Sequence, residues 1–194
     1  MALVIQAYTF LYQYTNSWLL SVPKKSPNAL NMGILSTGQI NAAASKQPFN
    51  LHSTALSNNT VAIHPAETHP NVILYGIASR DLSTAESAKK SYNFQKAFGS
   101  YQDLLDDPKV DFVYISTPNG LHYEWAVKAL KAGKHVLLEK PFTSNSIEAK
   151  KLVEEAERSG KVLMEVNISN RSVGVILIGT GIPLAMPPCR PQMA

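Results

Sequence analysis

Two short loops carry the side chains of this sequence that could do chemistry: Thr117-Pro118-Asn119-Gly120-Leu121-His122 and Glu139-Lys140-Pro141. Together they offer a hydroxyl, a carboxamide, an imidazole, a carboxylate and an ammonium, the groups that bind a polar ligand and handle a proton on it. Whether they meet depends on the residues around them. Phe112, Val113, Tyr114 and Ile115 form a short apolar run ahead of the first loop, as a strand buried on both faces reads. Tyr123, Ala126, Val127 and Leu130 then fall at i, i+3, i+4 and i+7, one apolar helical stripe, while Glu124, Lys128 and Lys131 occupy the other face. Gly133 stands where a C-terminal cap belongs. A second apolar run, Val136-Leu137-Leu138, delivers Glu139-Lys140-Pro141 to the end of its strand. A strand, helix, strand unit of this length predicts a right-handed parallel crossover. In open parallel sheets ligands bind beyond the carboxyl ends of the strands, so the two loops are expected to share one crevice.

A second pair of loops points to the ligand. Leu30–Leu35 reads as the first core strand, and Ser36-Thr37-Gly38-Gln39-Ile40 follows at once. This is the outline of the dinucleotide fingerprint G-x-G-x-x-G/A with its middle glycine alone retained. Gly38 is the position where a Cβ would hold the backbone away from a pyrophosphate, whereas Ser36 and Asn41 replace the outer small residues. Val72–Ala78 reads as the second core strand and ends in Ser79-Arg80. An NAD enzyme would place a carboxylate there for the ribose 2′-hydroxyl; a hydroxyl and a guanidinium suit the 2′-phosphate of NADP. The expected cofactor is therefore NADP, with NAD as the alternative.

Composition narrows the class. At 194 residues, 45% hydrophobic and 16% charged, the chain suits one globular domain with extensions. Its net charge of +4 is spread along helix faces, with no basic run interleaved with aromatics, which argues against a nucleic-acid partner. A single cysteine, Cys189, excludes an internal disulfide framework and a Cys-based zinc site, so no metal is expected and the cytosol is the default compartment. Residues 1–20 are apolar and aromatic, but Gln6, Gln13, Tyr14, Thr15 and Asn16 interrupt them and no basic residue precedes them. They read as a leader rather than a signal peptide or membrane span, with a Pro-rich linker completing residues 1–29.

Regular structure is expected over residues 30–166, with one gap. Residues 45–63 contain Pro48, Asn50, Asn58 and Asn59 and no sustained period where a first crossover helix belongs; they read as an inserted loop. Ser83 and Glu86 are spaced as a capping box for a helix running to Tyr92. Lys96–Phe98 suits a short edge strand, and Ser100 with Asp103 opens a short helix closed by Asp107-Pro108. Asn145 and Glu148 open another helix, with Ile147, Leu152, Val153 and Ala156 on its apolar face and Gly160 at its end, and residues 162–166 form a further strand. Residues 167–194 are nearly uncharged and proline-rich and read as an unstructured or aberrant tail, although 173–178 suits an edge strand.

The run TPNGLHYEWAVKALKAGKHVLLEKP, preceded by GILSTGQI and IASR, resembles the Gfo/Idh/MocA oxidoreductases, within them the branch of dimeric dihydrodiol dehydrogenases and NADP-dependent D-xylose 1-dehydrogenases. The resemblance covers residues 30–44 and 64–166. It implies an α/β, Rossmann-like, doubly wound parallel sheet and NADP-dependent hydride transfer to or from a sugar or trans-dihydrodiol. By position, Ser36, Thr37, Gly38, Gln39 and Ile40 would line the pyrophosphate, and Ser79 and Arg80 would hold the adenosine phosphate. Thr117, Pro118, Asn119 and His122 would flank the ribose and nicotinamide, with Glu139 beside them. Lys140 would be the catalytic lysine, next to a Lys-Pro bond that is often cis in relatives. A nearby ammonium stabilises the oxyanion that develops as hydride leaves a carbinol carbon.

Family members continue into a C-terminal α+β domain carrying a further catalytic residue, the substrate contacts and the homodimer interface. The sequence is expected to lack that domain, because family-like residues stop near Glu165. The irregular segments at 45–63 and 167–194 would then be translated introns or gene-model errors, and the chain a truncated, inactive form. The competing readings are a non-catalytic dinucleotide-binding module and a tether using residues 1–20, with no membrane contact expected on the first two.

Overall fold

The structure, a computed structural model, describes residues 24–37, 62–63, 66–67, 69–169 and 172–178. The strands are β1 (Leu30–Leu35), β2 (Val72–Ala78), β3 (Lys96–Phe98), β4 (Phe112–Ile115), β5 (His135–Glu139), β6 (Leu163–Ser169) and β7 (Ser172–Ile178). The helices are α1 (Leu82–Tyr92), α2 (Tyr101–Asp106), α3 (His122–Lys131) and α4 (Ser146–Ser159). One sheet holds the strands in the order β3-β2-β1-β4-β5-β6-β7. β1 to β6 are parallel and β7 runs antiparallel to β6. The chain steps outward from β1 to β2 and β3, then returns to begin again at β4 on the other side of β1. The crevice between the carboxyl ends of β1 and β4 is thus the topological switch point of a doubly wound sheet.

Period-two alternation builds a core on each face. Leu35, Val113, Ile115, Val136, Leu138 and Leu163 face α2, α3 and α4, and pack on Leu104, Ala126, Ala129, Leu130, Leu152 and Ala156. Met32, Ile34, Leu74, Ile77, Tyr114 and Val166 face the other way, toward Ile63, Ala66, Ala88 and Phe94. Gly33 lets α2 approach β1, since a Cβ there would lie 2.7 Å from Leu104 Cδ2.

The helix signals are met with one correction. Ser100 Oγ accepts from the Asp103 N–H at 3.1 Å. Asn145 Oδ1 accepts from the Glu148 N–H at 2.9 Å while Glu148 Oε2 accepts from the Ser144 N–H at 3.1 Å. Gly133 and Gly160 end their helices at φ 76° and 63°. At α1, however, the cap is Asp81 rather than Ser83: its Oδ2 accepts from the Thr84 N–H at 2.9 Å and from both the Thr84 and Ser83 hydroxyls. Asp81 stands one residue before the helix, so its carboxylate reaches the exposed N–H groups that Ser83, already inside the first turn, cannot.

Residues 167–169 and 172–178, read above as part of the tail, instead extend β6 and pair with it as β7. This is the edge strand that the β-branched run 173–178 suits. The leader, Gly38, Gln39, Ile40, residues 41–61 and residues 179–194 lie outside the described residues. Of the segment 45–63, Ala62 and Ile63 are helical and Ile63 is buried in the second core. Among the described residues no helix is long and apolar enough to cross a membrane.

Candidate functional site

Parallel register brings four loops to one edge. Leu35 lies beside Ala78 of β2 and Ile115 of β4, and Ile115 lies beside Leu138 of β5. Ser36-Thr37, Ser79-Arg80, Ser116 to Asn119 and Glu139-Lys140 therefore all leave the sheet at adjacent carboxyl ends. The Ser36 N–H donates to Ala78 O at 3.1 Å, and the Ser116 N–H donates to Leu35 O at 3.3 Å, so the loops begin tied to one another.

The β1 loop turns sharply at Ser36, whose φ of 102° is a conformation that side chains rarely adopt and glycine adopts freely. The serine thus occupies the backbone geometry of the missing first glycine of the fingerprint. Thr37 follows, buried, and its hydroxyl donates to Ser79 Oγ at 3.4 Å. Ser79 is buried and Arg80 is exposed beyond it. The carboxylate nearest in sequence, Asp81, is held down at about 2 by the hydroxyls of Ser83 and Thr84 and by the Thr84 N–H. It is engaged with the first turn of α1.

On the β4 side, Thr117 is buried while Pro118 and Asn119 are exposed at the rim. Thr117 Oγ1 is buried with no hydrogen-bond partner among the described residues. Such an orphan is rare and costs free energy unless something supplies the missing bond. His122, the first residue of α3, is 1% exposed. Its Nε2 lies 2.8 Å from Thr117 O and its Nδ1 lies 2.7 Å from Pro141 O. Both partners are carbonyl oxygens, so each bond is made only when that nitrogen carries a proton. A neutral ring carries one proton and donates one of these two bonds, so the imidazole sits between the β4 and β5 loops with both nitrogens turned to carbonyl oxygens.

Glu139, the last residue of β5, is buried and accepts twice: Oε1 from the Tyr114 hydroxyl at 2.6 Å, Oε2 from the Lys140 N–H at 3.0 Å. Lys140 itself is exposed at the rim, and the Lys140–Pro141 bond is cis. Of the residues singled out in the sequence, Ser36, Thr37, Ser79, Arg80, Thr117, Pro118, Asn119, Glu139 and Lys140 thus line one edge. His122 stands behind that edge, and Gly38, Gln39 and Ile40 lie outside the described residues. Tyr114 was missed. A tyrosine in a strand buried on both faces must find a partner for its hydroxyl, and that need, rather than any motif, is the signal that could have found it.

A parallel doubly wound sheet with its switch point lined by hydroxyls, a turn at positive φ and an exposed lysine has the architecture of the dinucleotide-binding domains, whose ligands sit at that crevice. Residues 30–167 match the profile of the Oxidoreductase family, NAD-binding Rossmann fold, and the chain belongs to that Gfo/Idh/MocA family. It is 37% identical over 137 residues to trans-1,2-dihydrobenzene-1,2-diol dehydrogenase of Mus musculus, covering 71% of this chain and 36% of that protein. It is 43% identical over 89 residues to D-xylose 1-dehydrogenase (NADP(+)) 2 of Haloferax volcanii, covering 46% of this chain and 27% of that one. A 3-ketoreductase from Actinomadura kijaniata, solved with NADP and TDP-benzene, superposes with a TM-score of 0.58 at 31% identity, over 71% of this chain and 37% of that chain. The chain spans about a third or less of the length of these proteins.

Proposed function

We propose that this chain carries the cofactor side of an NADP-dependent oxidoreductase that moves a hydride between nicotinamide and a hydroxyl-bearing carbon of a sugar or trans-dihydrodiol. The observation that carries the reading is the convergence of Ser79-Arg80, the orphaned Thr117 hydroxyl and Lys140 on one sheet edge. The dinucleotide, when bound, supplies the hydride acceptor. Ser36 and Thr37 would hold its phosphates at the β1 turn, and Thr117 Oγ1 would gain the partner it lacks. Ser79 and Arg80 would take the 2′-phosphate, with Asp81 drawn into α1 and so not presented to a ribose hydroxyl. Lys140 would place its ammonium against the substrate oxygen, stabilise the oxyanion as hydride leaves and relay the hydroxyl proton.

Relatives named trans-1,2-dihydrobenzene-1,2-diol dehydrogenase and D-xylose 1-dehydrogenase support that substrate class. The remaining groups that contact the substrate would come from outside the described crevice, so the described residues are expected to bind cofactor without turning over by themselves. With a single cysteine and so no internal disulfide, the reading takes the cytosol as the default compartment. Fluorescence titration with NADPH and NADH tests the reading. NADPH is expected to bind at least about tenfold more tightly, roughly 1.4 kcal/mol, and Arg80→Glu to reverse the order. Equal affinities would remove the NADP assignment. Tight binding without oxidation of xylose or a dihydrodiol by the full-length protein would leave a non-catalytic dinucleotide-binding module.

A further inference from the structure

Lys140 lies one residue past the end of β5, where the ladder stops: the register with β4 ends at Leu138 and that with β6 ends at Glu139. Its backbone N–H therefore has no strand to donate to, and it goes to Oε2 of the preceding side chain at 3.0 Å. A glutamate bonded to the next residue's amide has three torsions of its own to wander through, and alone would be a loose anchor. Here the other oxygen is fixed from the neighbouring strand by the Tyr114 hydroxyl at 2.6 Å, a charge-assisted bond. Tyr114 pairs in register with Leu137, so Glu139 is its diagonal neighbour two residues on, within reach of an aromatic side chain. Tyr114 is 1% exposed and Glu139 is 2% exposed.

We propose that Tyr114 is a positioning residue for Lys140: through the carboxylate of Glu139 it fixes the lysine's backbone N–H, and with it the direction in which the lysine leaves the sheet. The proposal rests on the role given to Lys140 above. Packing alone does not call for the pair. Phenylalanine at 114 and leucine at 139 would fill the same space without burying a carboxylate, which costs free energy unless it is bonded. Burial first, and then the bond to Glu139 and its charge, raise the Tyr114 phenol above its usual range, so the tyrosine stays the donor and the carboxylate the acceptor. His122 Nδ1 lies 2.7 Å from Pro141 O on the far side of the same loop and bonds it in the tautomer that carries the proton there.

Amide hydrogen exchange at Lys140, measured on the full chain without cofactor, tests the linkage. Pro141 has no N–H, so the Lys140 amide is set apart from the next amide of the loop, that of Phe142. Tyr114→Phe and Glu139→Ala are each expected to speed that exchange about tenfold while the amides of β4 and β5 keep their protection. Glu139→Gln can still accept from the Lys140 N–H and donate to the Tyr114 oxygen, and should keep exchange within about twofold of wild type. In the full-length protein, Tyr114→Phe is expected to lower kcat about tenfold with NADPH affinity unchanged, as misdirection of a catalytic group does. Exchange at Lys140 that stays put in Tyr114→Phe, or rises equally along both strands, would overturn the proposal. If Tyr114→Phe fails to fold, the contrast between Glu139→Ala and Glu139→Gln decides it. Lys140→Met keeping full kcat would remove the role of the lysine, and the proposal with it, while the exchange results stand as a purely structural linkage.

Discussion

At the level of single residues, the two ends of β5 use histidine in opposite ways. Near its carboxyl end His122 turns both ring nitrogens to carbonyl oxygens, where a nitrogen bonds only while it carries a proton. At its amino end His135 accepts the Val162 N–H on Nδ1 at 3.0 Å, a bond that the ring can make only while that nitrogen is unprotonated. Burial, and secondarily the Lys161 ammonium, lower the His135 pKa from 6.5, with Asp111 opposing. The sign follows from linkage: the unfolded chain takes up the proton first as pH falls, so folding is weakened by acid. The loss starts as pH drops through about 6.5 and is complete once pH passes below the lowered folded-state value. Thermal melts between pH 7.5 and 5 should therefore show a decline in Tm that His135→Gln flattens. A variant whose melts track wild type across that range would show that His135 is not the titrating group.

Elements meet where side chains are absent as much as where they are present. Alanine at position 33 would put its Cβ 2.7 Å from Leu104 Cδ2 and 3.3 Å from Val110 Cγ1, both buried, so α2 must move off β1 or Leu104 must leave its rotamer. Gly33→Ala is expected to destabilise by about 1–3 kcal/mol. Gly120→Ala, with nothing within 4 Å of the new Cβ, should stay within about 0.5 kcal/mol of wild type. Urea denaturation of the two variants makes the comparison, and equal midpoints would mean that the α2 contact is slack. This contact was not legible beforehand, because a glycine in a strand announces close approach without saying to what. Apolar runs did place β1, β2, β4 and β5, and the period of 3.6 placed α3, since those strands are buried on both faces and the helix along one unbroken stripe. Short polar signals were less specific: Asp81, Ser83 and Thr84 are all acceptable caps, and only the start of α1 chose among them. The edge β7 was ambiguous because an apolar run without charges reads the same whether it pairs or not.

For the molecule as a whole, the sheet edge makes cofactor binding and folding one equilibrium. The loops that would hold the dinucleotide are the ends of β1, β2, β4 and β5, four adjacent strands that carry both cores. A ligand held there binds the folded chain alone and stabilises it by mass action, about 2.7 kcal/mol at a hundredfold excess over Kd. For a chain of this size that corresponds to a rise in Tm of about 5–10 °C. NADPH at such a concentration is expected to produce that rise, with NADH at the same concentration giving a smaller one. Arg80→Glu should abolish the NADPH shift and leave the unliganded Tm unchanged, because Arg80 is exposed and beyond the last paired residue of β2. A lowered unliganded Tm in that variant would instead make Arg80 part of the fold. Equal shifts from both dinucleotides in wild type would assign the guanidinium no share in reading the 2′-phosphate.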